Sequence, residues 1–179
     1  MTIPYVNYRE ITSKQQLDDY IKEIENGLLI YGVSKHIPSP YFKEDALIVV
    51  FDEKGKQVKL KHKYYMTPLG DSYRLNKKNE KIHMSENKGR YQLKLENGET
   101  IKFQVHHLQL WSYYPHLDWK PFCENLKNNG GNNDATVDHI LQDKNNKVCH
   151  YKYLEAVPIS ENTRRNGLFN DKERKLRQA

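Results

Sequence analysis

With only two cysteines, Cys123 and Cys149, the chain cannot be built on a disulfide framework. It also lacks any apolar run near the ~20 residues a membrane span requires, which excludes a helical membrane protein. The first ten residues, Met1 to Glu10, have neither a basic head nor an apolar stretch, so no signal peptide is expected. Acidic residues are outnumbered: 29 Lys and Arg face 23 Asp and Glu, giving a net charge of +6. That balance suits a polyanionic partner without identifying one. Apolar residues are few as well, with a mean hydropathy of −0.93, so the core must lean on the 13 tyrosines. A soluble intracellular protein is expected, with one domain or a compact domain carrying an N-terminal extension.

Local patterns divide the 179 residues into short elements. Leu17, Tyr20, Ile21 and Ile24 mark one helix face beginning after Ser13, and Gly27 is placed to end it. This helix is read as a packing or partner helix. Ala46 to Phe51 is strand-like, and Gln57 to Tyr65 alternates Val58, Leu60, His62 and Tyr64 with Lys59, Lys61 and Lys63. Such a hairpin offers a basic face to phosphates, or an ordinary solvated one. Further short strands are expected at Tyr73–Leu75, Lys81–Met84, Tyr91–Leu95 and Ile101–Val105, the last two joined by a turn at Glu96-Asn97-Gly98. Helices should follow at Val105–Tyr114, limited by Pro115, and at Trp119–Leu126, with a loop from Asn128 to Asp134.

The chain is organised around Val137-Asp138-His139-Ile140, a polar loop, a return segment with Leu154 and Val157, and a helix start at Ser160-Glu161-Asn162. In a strand–strand–helix of this kind, a carboxylate ending the first strand can face an amide on the helix. The pair suits one divalent cation beside a histidine.

These residues resemble the HNH motif of the ββα-metal nucleases, and among them the HNH homing endonucleases encoded in phage introns. The resemblance includes Asn145-Asn146 in the loop and, upstream, Gly98 to Leu108, where Val105-His106-His107-Leu108 is similar to a Val-His-Arg-Leu. It covers roughly the last hundred residues. The residue at the motif's central Asn is Tyr153, and the loop after Asp-His is two residues longer than the pattern.

The resemblance implies an α+β fold: short strands and hairpins leading into a ββα-metal core, with an N-terminal helix and a basic C-terminal helix. It divides the chain into a helical extension (1–45), a small β-rich module (46–104) and the ββα core with its basic tail (105–179). It implies a metal-dependent endonuclease that hydrolyses phosphodiester bonds of double-stranded DNA. Asp138 and Asn162 would bind one Mg²⁺ or Mn²⁺, and His139 would be the general base, a task suited to imidazole. Tyr153 would join the catalytic strand, packing its ring beneath His139 or sending its hydroxyl to a phosphate. Arg164, Arg165, Lys59, Lys61 and Lys63 would hold phosphates, with His106 and His107 structural or phosphate-contacting. His150 would substitute in part for the replaced Asn. Cys123, Cys149 and His150 lack paired C-x-x-C spacing, so structural zinc is not expected. The alternative is a DNA-binding protein on a catalytically weakened or inactive HNH scaffold.

Overall fold

A computed structural model describes residues 3–126, 134–141 and 150–168. Cys149, Asn145, Asn146, the expected basic C-terminal helix and the loop from Asn128 to Asn133 lie outside the described residues.

Helix α1 (Lys14–Glu25) forms where the apolar spacing placed it. The Ser13 hydroxyl accepts a hydrogen bond from the Gln16 amide at 3.2 Å, capping the first turn. Leu17, Tyr20 and Ile24 are its buried face, and Gly27, at φ +108°, supplies the left-handed residue that stops it.

The β region is more broken than alternation suggested. Strands β1 (Ala46–Leu47), β4 (Tyr64–Met66), β5 (Ser72–Leu75) and β6 (Lys81–His83) form one antiparallel sheet in the order β1-β4-β5-β6. Strands β2 (Val50–Phe51) and β3 (Gln57–Val58) form a separate pair. Gln57 to Tyr65 is therefore not one strand. After β3 the chain turns aside, Leu60 bridges to Leu95, and the Lys61 amide donates to the Lys94 carbonyl at 2.9 Å. Tertiary pairing on two sides outweighs the local alternation.

Strands β7 (Arg90–Lys94) and β8 (Thr100–Gln104) make a two-stranded ribbon, close to the expected bounds. Gly98 sits at φ +92° in its turn. The ribbon runs directly into α2 (Val105–Tyr113), which buries Val105, Leu108, Leu110, Trp111 and Tyr113 and is the centre of the main core. A short helix, α3 (Lys120–Asn125), follows.

Strand β9 (Ala135–His139), a 3₁₀ turn (Tyr151–Tyr153), β10 (Leu154–Pro158) and α4 (Ile159–Gly167) complete the order. β9 and β10 pair antiparallel, His139 with Leu154 and Asp138 with Glu155, and α4 starts immediately after β10. The chain is thus α+β, with a strand–strand–helix at its C-terminal end.

The three expected segments share their cores. Tyr31, Val50, Leu93, Leu108, Val137 and Ala156 belong to one buried cluster. A second unites Ile11, Leu17, Tyr20 and Ile24 with Ile140 and Tyr153. The first forty-five residues are therefore built into the fold: the Ala156 amide donates to the Tyr31 hydroxyl at 2.7 Å. Among the described residues no helix is long and apolar enough to cross a membrane.

Candidate active site

Strand alternation sends neighbouring side chains of β9 to opposite faces. Val137, with Ala135, Leu154 and Ala156, lies in the main core, on the side of α2. On that side the half-buried His139 ring meets His106, centroids 5.0 Å apart and planes at 76°. Asp138 and Glu155, paired across the hairpin, face α4 and α1 instead.

On the Asp138 side the dominant group is Arg165, fully buried at 0% exposure. Its Nη1 lies 3.1 Å from Asp138 Oδ2 and 2.7 Å from Glu155 Oε1, and its Nε 3.4 Å from Glu161 Oε2. Its Nη2 donates to the Arg9 carbonyl at 2.6 Å. The Ile11 amide donates to Glu161 at 3.3 Å, and the Tyr20 hydroxyl to Glu155 at 2.9 Å. Burial opposes the Arg165 charge, but the Glu155 and Asp138 carboxylates more than offset it and its pKa rises. Burial pushes the Glu155 carboxyl up, against the pull of Arg165 and Tyr20.

The sequence reading places Arg165 at a phosphate; it is instead the counter-ion of three inward carboxylates and is closed off from solvent. Arg164 also pairs with Glu161, but its side chain is 40% exposed and reaches the surface. Asn162 stands on α4, half-buried, between these ion-pairing positions.

Tyr153 is corrected as well. It is buried in the cluster formed with α1 and Ile140, and its carbonyl accepts from the Ile140 amide at 2.8 Å. Its ring is a packing element that ties α1 to the hairpin, rather than a support beneath His139. His150 is engaged locally: its Nδ1 accepts from the Lys152 amide at 3.1 Å, and its ring stacks on Tyr151. Burial pushes the Cys123 thiol up to about 12, so it stays protonated within the main core.

His106 and His107 open α2 with rings 4.9 Å apart. Burial, then neighbouring His107 and His139, hold His106 well below the usual imidazole range. Burial, Arg90 and His139 lower His107 to about 4. An imidazole whose folded pKa lies below its unfolded value must be neutral to fold, so stability should fall as pH drops from about 6.5 to about 4. For His107 the loss is on the order of 3 kcal/mol. Thermal melts between pH 7 and 4 check this: His107→Gln should flatten the curve, and an unchanged slope would exclude His107 as its source.

The β7–β8 ribbon adds residues that motif reading missed. Its register sets Arg90 opposite Gln104, Gln92 opposite Lys102 and Lys94 opposite Thr100 on one face. Tyr91 and Leu93 turn the other face inward. The outer face carries three cations and no carboxylate, and Arg90 lies near enough to His107 to depress it. Lys59, Lys61 and Lys63 are all exposed, the first two beside β7. Period-two alternation in 90–94 and 100–104 was the available signal.

Among the described residues no three His, Cys, Asp or Glu side chains converge in a geometry for a metal ion. Compared with known families, curated proteins and solved structures, the chain matches none.

Proposed function

We propose that this protein is an HNH-type endonuclease that hydrolyses phosphodiester bonds of double-stranded DNA with a divalent metal ion. The observation that carries the reading is the strand–strand–helix itself, with Asp138-His139 ending β9 and Asn162 on the helix that packs against it. Asp138 and Asn162 provide hard oxygen donors of the kind Mg²⁺ prefers. The Arg165 guanidinium pairs with Asp138 Oδ2, as partners that orient ligating carboxylates do. An ion held by Asp138 and Asn162 would supply charge neutralisation at the scissile phosphate and at the leaving 3′ oxygen. His139 takes the proton from the attacking water at a ring nitrogen. Arg164, Lys59, Lys61 and the ribbon face hold the duplex backbone.

Conversion of supercoiled plasmid to relaxed circles, with Mg²⁺ or Mn²⁺ against EDTA, tests the reaction. Metal-dependent nicking is expected. Retained duplex binding without nicking would favour the second reading, a binding protein on an inactive HNH scaffold. The observation on that side is the depth of Asp138, at 2% exposure.

The basic ribbon makes a separate prediction. Arg90→Ala with Lys102→Ala should weaken duplex binding and flatten the salt dependence by about 0.9 per charge removed, roughly two in all. Fluorescence anisotropy from 50 to 300 mM salt would measure it. An unchanged slope would remove the ribbon from the interface.

A further inference from the structure

The His139 ring is one end of a series of aromatic contacts. His106 packs against it at 5.0 Å and 76°, and His107 packs against His106 at 4.9 Å and 87°. His107 is in turn held between Trp111 at 5.8 Å and Phe122 at 5.7 Å, both in the main core. His106 therefore stands on one of the best-anchored backbones in the molecule, the first turn of a helix buried on nearly every side.

A general base works only when its lone pair is held toward the water. An imidazole can rotate about its last side-chain bond unless something fixes its plane. A ring set near a right angle against another, and itself backed by a third, is such a support. We propose that His106 is a positioning residue for the nuclease reaction, fixing the plane of the His139 imidazole from the first turn of α2. This rests on the endonuclease reading of the same site. The sequence reading leaves His106 structural or phosphate-contacting; a positioning role is distinct from the phosphate contact.

The test uses full-length protein with His106→Ala and His106→Asn. Single-turnover nicking, duplex affinity and imidazole ¹H–¹⁵N spectra are measured on the same preparations. His106→Ala should slow nicking roughly 10- to 100-fold at unchanged duplex affinity. His106→Asn, a neutral polar side chain of similar reach, should recover part of the rate. In the spectra His139 should be one tautomer in the wild type and an exchanging mixture in His106→Ala. A His139 spectrum unaltered by His106→Ala overturns the proposal, as does lost affinity at an unchanged rate, which would make His106 a phosphate contact. If the wild type does not nick, the endonuclease reading fails, and the spectra still decide whether His106 fixes His139. Should His106→Ala not fold, His106→Asn and His106→Gln carry the same spectral comparison.

Discussion

Arg165→Ala is expected to destabilise the protein severely at pH 7. The guanidinium is the shared counter-ion of Asp138, Glu155 and Glu161, and its removal takes away their buried positive charge, leaving Glu161 its pair with the part-exposed Arg164. Breaking a buried pair from one side typically costs about 3–5 kcal/mol, against a total stability of roughly 5–15 kcal/mol for a domain. For a chain of this size the melting temperature should fall by on the order of 10 °C or more. The loss also releases the Arg9 carbonyl and so loosens the segment leading into α1.

Two controls separate charge from packing. Arg165→Met keeps most of the buried stem but should be nearly as damaging, because the carboxylates remain. Adding Glu155→Gln should restore part of the loss, since neutralising a stranded partner removes the penalty that breaking the pair created. The pH dependence has a definite sign. Without Arg165 the buried carboxyls have folded pKa values above their unfolded ones, so their contribution is lost as pH rises. The deficit against wild type should therefore shrink from pH 7 to pH 5. A cost below about 1 kcal/mol by urea titration would mean that the cluster is solvated.

His139→Ala is expected to lower single-turnover nicking by about 10²–10⁴-fold, the usual contribution of a positioned general base. Duplex affinity should be nearly unchanged, because the half-buried ring packs on His106 and the binding charges lie elsewhere, on the ribbon, the Lys59–Lys63 segment and Arg164. Stability should change little, because the ring closes one end of an aromatic series rather than its middle. Nicking and gel-shift assays on one preparation measure both quantities. Equal cleavage by variant and wild type would remove His139 from the reaction. Loss of affinity in step with rate would make it a DNA contact.

Sequence periodicity and a short motif made several elements legible. The Leu17–Tyr20–Ile24 stripe fixed α1, and Glu96-Asn97-Gly98 fixed the turn of the ribbon. Val137-Asp138-His139 and Ser160-Glu161-Asn162 marked a strand and a helix that do meet. Each of these signals is local: a helical or two-residue repeat, a turn residue with permitted geometry, a cap. Gln57–Tyr65 failed the same reading because its residues pair with different neighbours, Gln57 and Val58 with β2, Leu60 with Leu95 and Tyr64 with Arg74 of β5, and alternation cannot reveal which strand a residue will pair with.

The fates of Arg165, Tyr153 and His106 were decided only by tertiary structure. An arginine next to a basic tail is read from sequence as surface charge. It became a buried ion-pair centre because three carboxylates, 4, 10 and 27 positions away along the chain, converge on its face of α4. A buried cation is tolerable only with partners, and nothing local records that those partners will arrive. Tyr153 turned into the α1 cluster because residues near the N-terminus pack on the hairpin, a contact spanning most of the chain. His106 met His139 across thirty-odd positions because α2 and β9 share one core. The sequence thus determined which residue types are available and which local elements they form, since those depend on near neighbours. Which of them face solvent, which face each other and which are sealed inside depends on long-range packing, and only the folded chain decides it.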